Sequence, residues 1–176
     1  TYPNIDLRIM ATEKVSSFYA DGIDLAVRQG TPPFGASLDV TLLFKQSLIA
    51  VAARKFAGKV NNPLDPETLA KQPKVHDTHD LWPSYLKHLG VHDQSTRNLR
   101  LSQTSLAVDA AIAGQGVAVV SRFLVAQDIK LGRLVELGTA WDAGVNDFYV
   151  LMPRTAKGNE TVVNVMRWLA GRSAED

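Results

Sequence analysis

The chain has 176 residues, of which 45% are hydrophobic and 21% charged, with a formal net charge of +1. That composition supports a sizeable buried core and excludes attraction to nucleic acid by bulk charge. The absence of cysteine excludes disulfides and thiol chemistry, and no run is long and apolar enough to cross a bilayer. No signal peptide is visible, and because the chain begins at Thr1 without an initiator methionine, its natural start is expected to lie elsewhere.

Residues 5–10 (IDLRIM) alternate apolar and polar side chains and predict a half-buried strand. Residues 15–20 predict a short amphipathic turn or helix, broken at Asp21-Gly22. Residues 23–28 (IDLAVR) predict a second and more buried strand, followed by a loop carrying Gly30, Pro32, Pro33 and Gly35. The run 39–53 (DVTLLFKQSLIAVAA) is too long for one average strand. It predicts two strands, or one strand leaving a first sheet and feeding a second.

Asp65-Pro66-Glu67 combines a capping side chain, a first-turn proline and a first-turn acid, so it predicts a helix start, and Pro73 stops that helix. A short strand is expected at 75–77. Leu81, Tyr85, Leu86 and Leu89 then fall at helical spacing, with Asp80 as the expected N-cap and Gly90 as the C-terminal cap. A strand at 99–101 leads into residues 102–120 (SQTSLAVDAAIAGQGVAVV), around which the chain is organised. There a polar cluster, Ser102, Gln103, Thr104 and Ser105, opens an almost wholly apolar helix. Gly114 and Gly116 end it, and a buried strand follows at 117–120. Unpaired N–H groups and the positive end of the dipole suit a small anion at such a start. The alternative is that Thr104 or Ser105 simply caps the helix. A short helix near 123–127, strands at 134–137 and 146–152, and a helix at 160–170 complete the chain. Val162, Val165, Met166 and Leu169 share one face of that last helix, and Gly171 is expected to end it.

Alternating strands and helices predict an α/β fold with mostly parallel strands. The runs at 39–53 and 147–152 are the expected crossings between two Rossmann-like lobes. Lobe I would hold 1–51 plus 153–176, and lobe II would hold 52–152. A cleft between such lobes, at strand C-termini, binds small ligands.

Four stretches resemble the effector-binding domain of LysR-type transcriptional regulators. Tyr2-Pro3 with Ile5-Asp6-Leu7 resembles that family's entry to its second strand. The segment 21–28 (DGIDLAVR) is similar to its "G-x-x-DLAI-R" stretch, in the form found in regulators of glycine cleavage and β-lactamase induction. Residues 109–119 (DAAIAGQGVAV) and 131–137 (LGRLVEL) resemble its helix–turn–strand and the segment after it.

The resemblance implies a periplasmic-binding-protein-like fold of type 2. It implies a small-molecule effector, homodimers through effector domains and tetramers at full length. It also implies operator DNA bound only through an N-terminal helix-turn-helix, cytoplasmic location and no membrane partner. The family's effector domain opens with a further strand and helix before the "YP" motif, and this sequence shows neither. Carried over residue by residue, effector contacts are expected at Gln103, Thr104 and Ser105 in lobe II, and at Arg28, Gln29 and Tyr149 from lobe I and the returning strand. His76 and Asp77 are expected at a strand end facing the same space. A dimer is expected to place residues 5–10 beside a lobe II helix of its partner.

Each residue also has a plainer reading. Arg28 could pair with a surface acid, Tyr149 could be core with a satisfied hydroxyl, and Phe34 could be a packed loop aromatic. His76-Asp77-Thr78-His79-Asp80, with His88 and His92 nearby, looks rich in metal ligands. It lacks any strong ligand spacing, and a wet loop is the default for His76 and His79, so no metal and no cofactor is expected. A nucleophile elbow, P-loop and dinucleotide fingerprint are all absent, and Ser102 and Ser105 have no base partner, so an enzyme is not expected. The competing function is a free solute-binding protein of the same two-lobe design.

Overall fold

The computed structural model describes residues 4–12, 17–57, 63–144 and 146–172. In chain order the elements are β1 (Ala26–Gly30), β2 (Leu38–Phe44), β3 (Ser47–Ala53), α1 (Arg54–Ala57), α2 (Pro66–Ala70), β4 (Lys74–His76), α3 (Trp82–His88), β5 (Asn98–Arg100), α4 (Thr104–Ile112), β6 (Val117–Ser121), α5 (Arg122–Lys130), β7 (Leu134–Glu136), β8 (Trp141–Asp142), β9 (Asp147–Pro153), a 3-10 helix (Arg154–Gly158) and α6 (Glu160–Arg172). The long apolar run divides into β2 and β3, which belong to different sheets. Contacts split the chain into two compact units, Thr1–Lys45 with Gly144–Asp176, and Gln46–Ala143. The changes of unit therefore fall after Lys45 and Ala143 rather than after 51 and 152. The ladders explain the difference: among the described residues β3 pairs with β6, β7 and β8, and β9 with β1 and β2, so each strand stays whole within one unit.

The second unit is built on the strand order β5-β4-β6-β3-β7, with β8 also pairing β3. Side chains of successive residues on β3 and β6 enter two separate cores. Leu48, Ala50, Ala52, Val117 and Val119 pack with α2 and α3 through Leu69, Trp82, Tyr85 and Leu86. Ile49, Val51, Ala118 and Val120 pack with α4 and α5 through Ala107, Ala111 and Val125. Helices on both faces explain why these strands read as unbroken apolar runs rather than alternating ones.

Buried Lys74 ties the start of β4 to the end of α2. Its Nζ donates to the carbonyls of Ala70 (2.6 Å) and Gln72 (3.3 Å), pairs with Asp93 (2.8 Å) and lies 5.0 Å from the Trp82 ring centroid. The helix expected at Asp65-Pro66-Glu67 is present, and the Asp65 carboxylate accepts from the Thr68 amide at 2.9 Å.

The first unit has the order β1-β9-β2, antiparallel throughout, and α6 packs against β2 and β9. The expectation of mostly parallel strands is therefore corrected. Parallel pairing joins β4 to β5 and to β6, whereas β3 runs antiparallel between β6 and β7. β6 and β7, linked by α5, are thus parallel to each other with β3 inserted between them.

Four local expectations change. Residues 5–10 form no strand, and Leu7, Ile9 and Met10 are 62%, 81% and 53% exposed. Alternation alone does not make a strand without a ladder partner. The strand expected at 23–28 begins only at Ala26 and extends to Gly30, opposite Asp147–Leu151 on β9, and Val27 is exposed rather than buried. Asp80 does not cap α3; Leu81 holds that position, and the Asp80 carboxylate turns to His76. Gly171 does not end α6, which runs to Arg172. The expected turn at 15–20 and the "YP" motif lie partly or wholly outside the described residues; Phe18–Gly22 is a turn.

Candidate functional site

The residues expected at the site fall into two polar groups, one in each unit. In the second unit, β4 ends at His76 and α4 begins at Thr104. The Thr104 hydroxyl donates to Asp77 Oδ2 at 2.5 Å, joining the turn after β4 to the first residue of α4. The other Asp77 oxygen accepts from the His79 amide at 2.9 Å. A hydroxyl has one proton, so Thr104 has given its donor to a carboxylate and offers only acceptor lone pairs elsewhere.

The simple capping reading does not hold. Gln103 occupies the N-cap position in extended backbone, and no side chain caps the helix. Gln103 and Ser105 are exposed and Thr104 is half-buried.

His76 lies within β4, 4% exposed, and not on a wet loop as expected. Its Nδ1 hydrogen-bonds Asp80 Oδ1 at 2.6 Å and its Nε2 hydrogen-bonds Asn98 Oδ1 at 2.9 Å. Arg100 stands 3.7 Å from the second Asp80 oxygen. With both ring nitrogens engaged, His76 acts on this site by holding the 77–80 turn that carries Asp77. Asp80 closes that turn at a φ of 44°, a left-handed conformation that Asp tolerates better than most residues. Among the described residues, no group of three or more His, Asp or Glu side chains is arranged to hold a metal ion.

In the first unit, Arg28 and Tyr149 are register partners on β1 and β9, so their side chains share one sheet face. Gln29, opposite Phe148, points to the other face. Phe34 packs on Tyr149, with ring centroids 5.1 Å apart, and its edge fills the space where Gly30 has no Cβ. Phe34 is thus a packed loop aromatic, held beside the Arg28 strand. Arg28 itself makes no ion pair or hydrogen bond with any described residue. The surface-pair reading of Arg28 therefore finds no acid partner among the described residues. Asp77, expected at the strand end facing this space, sets the polarity of Thr104, a pairing that helix-start reasoning missed. Its only sequence signal is its position immediately after a short strand.

Two mixed α/β units, each around its own sheet and connected by two chain segments, define the periplasmic-binding-protein-like class of two-lobed folds. The effector-binding domain of AmpR from Citrobacter freundii shares this fold with a TM-score of 0.78 and 20% identity, covering 99% of this chain and 86% of that one. The regulatory domain of CrgA from Neisseria meningitidis does so with a TM-score of 0.67 and 19% identity, over 90% of this chain and 80% of that one. The chain belongs to the LysR substrate binding domain family, whose profile matches residues 1–174. The glycine cleavage system transcriptional activator of Escherichia coli is 27% identical over 177 residues, covering 99% of this chain and 58% of that protein. The transcriptional regulator PtxR of Pseudomonas aeruginosa is 30% identical over 156 residues, covering 86% of this chain and 50% of that protein. The chain thus spans less than two thirds of these relatives, and it corresponds to the effector-binding domain of LysR-type regulators. Among the described residues, no helix is long and apolar enough to cross a membrane.

Proposed function

We propose that this chain senses a small metabolite for a cytoplasmic LysR-type transcriptional regulator, and that binding controls the geometry of a DNA-bound oligomer. The units Thr1–Lys45 with Gly144–Asp176, and Gln46–Ala143, correspond in this reading to lobes I and II. The effector contacts are Gln103, Thr104 and Ser105 from the second unit, and Arg28, Gln29 and Tyr149 from the first, with His76 supporting the 77–80 turn. Dimers through effector domains, and operator binding through a helix-turn-helix in a protein of the relatives' length, complete the proposal.

The observation that carries this reading is the Asp77–Thr104 hydrogen bond. It fixes a polar, half-buried hydroxyl at the start of α4, where first-turn amides have no side-chain cap. The regulators among the relatives favour a sensing domain over a free solute-binding protein.

A thermal-shift screen tests the proposal, using glycine, other small amino acids and short organic acids. At least one compound is expected to raise the melting temperature, and Thr104→Ala is expected to weaken its affinity by about tenfold, the cost of one charge-assisted contact. Hits that ignore both Thr104→Ala and Arg28→Gln would overturn the assignment of these residues.

A further inference from the structure

We propose that the buried ring of His76 is a proton-operated latch on the 77–80 turn, tight when both ring nitrogens carry a proton and loose when one of them does not. The latch rests on the sensing role proposed above for its consequence, because the turn carries Asp77 and through it the hydroxyl of Thr104. None of its working groups, His76, Asp80, Asn98 and Arg100, is an effector contact in that reading.

Each ring nitrogen faces an oxygen. Nδ1 lies 2.6 Å from Asp80 Oδ1, and Nε2 lies 2.9 Å from Asn98 Oδ1. Carboxylate and amide oxygens accept hydrogen bonds and do not donate them, whereas a neutral imidazole has one donor and one acceptor. Both contacts together are made by the doubly protonated, positively charged ring. The Asn98 oxygen is held from another side as well, by the Ser95 hydroxyl, which donates to it at 3.3 Å. When the ring loses its Nε2 proton, Nε2 and the Asn98 oxygen turn lone pairs on each other. The amide must then rotate to offer its N–H, which gives up the Ser95 bond. Asp80 at the same time exchanges a cationic partner for a neutral one, and hydrogen bonds between ionised groups are about twice as strong as neutral ones. Asp80 depends on that hold. It closes the turn at a φ of 44°, and such a conformation persists where the surroundings enforce it.

The neighbouring charges leave the ring as the group that changes. On its own strand, Lys74 pairs with Asp93 at 2.8 Å. The Asp93 carboxyl is held below its usual value by hydrogen bonds that outweigh its burial, so this pair stays ionised where histidines titrate. Arg100 on β5, 3.7 Å from the second Asp80 oxygen, is charged at every working pH. His79 on the turn is exposed, and its backbone amide is what bonds Asp77. The first turn of α3 carries no acid, β6 has no charged residue, and Asp109 on α4 is exposed. At 4% exposure the ring has little access to water that could replace a lost partner.

Two measurements on the full chain test the latch between about pH 5 and pH 8, the window in which histidine changes charge. Nitrogen NMR of the histidine rings, assigned by through-space contacts, is expected to show His76 with both nitrogens protonated at the acid end. At the alkaline end the proton is expected on Nδ1 alone. Amide-exchange protection of residues 78–80 is expected to fall by at least about tenfold over the same range, the equivalent of one charge-assisted bond, while β3 and β6 keep theirs. His76→Gln is expected to flatten that course. Asn98→Asp, on the exposed edge strand β5, has no donor to offer Nε2 and is expected to keep the turn tight to higher pH. It tests the latch even where circular dichroism shows that His76→Gln does not fold. A ring that keeps one protonation state throughout, the same course in wild type and folded His76→Gln, or an unchanged course in Asn98→Asp would each overturn the inference. Neither measurement uses an effector, so such a failure leaves the sensing assignment standing. If the latch works as expected and the screening hits ignore both Thr104→Ala and Arg28→Gln, the sensing assignment fails alone.

Discussion

At the scale of single residues, the informative side chains are polar groups placed where the sequence suggests surface. Lys74 stands in a three-residue strand with its side chain fully buried, satisfied by two carbonyls, one carboxylate and one ring. Removing it leaves the end of α2 without its donor. Asp93, 44% exposed, can still be solvated. Lys74→Met is therefore expected to cost about 2–4 kcal/mol, less than the upper range for a pair buried on both sides. Asp93→Asn should cost about 1 kcal/mol or less, as an exposed partner; urea titration checks both.

The same pair sets a pH dependence. Burial raises the Asp93 pKa, but hydrogen bonds from Lys74 and Ser95 outweigh it and hold the carboxyl below its usual value of 3.8. A depressed carboxyl contributes stability above its unfolded pKa and loses it as pH falls through the folded one. Melting temperatures of the wild type should fall more steeply below about pH 4 than those of Asp93→Asn. Parallel curves would remove the pair from the acid response. At the other polar pair, Thr104→Val and Asp77→Ala should each cost about 1.5 kcal/mol, the low end for a hydrogen bond to a charged group. A double-mutant cycle should show coupling between them.

At the scale of elements, the approach of α4–β6 to β4 is the tightest constraint on the candidate site. Gly114 turns the chain at a φ of 72°. A Cβ on Gly116 would lie 2.8 Å from the Pro73 carbonyl oxygen and 3.1 Å from Val75 Cγ2. That same carbonyl accepts the Val117 amide at 2.8 Å, so it cannot yield without loosening the β4–β6 ladder. Gly116→Ala is expected to cost about 1–3 kcal/mol as overpacking, measured by urea unfolding.

The turn and helix around these glycines were legible because Gly114 and Gly116 punctuate an apolar run, and Asp65-Pro66-Glu67 announced α2 in the same local way. The residues 5–10 misled for the opposite reason. Their alternation is a local signal, while a strand is a pairing between distant segments. β8 and the 3-10 helix were missed because they are short and without periodicity. At the site, Thr104 stood out as a polar residue opening an apolar helix. Its partner Asp77 lies 27 positions away, and Arg28 and Tyr149 meet only through the β1–β9 register. No local pattern encodes those meetings.

At the scale of the whole chain, the two units are stabilised unequally. The second unit closes its sheet between two cores, and Ile49, Ala50, Val51 and Val117 are fully buried. In the first unit β1 has a described ladder with β9 alone, no residue of β1 is fully buried, and Val27, Val40 and Leu42 are 55%, 38% and 43% exposed. Local opening is easiest where few apolar contacts oppose it and backbone hydrogen bonds border solvent. Amide exchange should therefore be slowest along β3 and β6 and faster in β1 by roughly a hundredfold or more, since opening free energies range from near zero to the global stability. Protection of β1 equal to that of β3 would refute the unequal division.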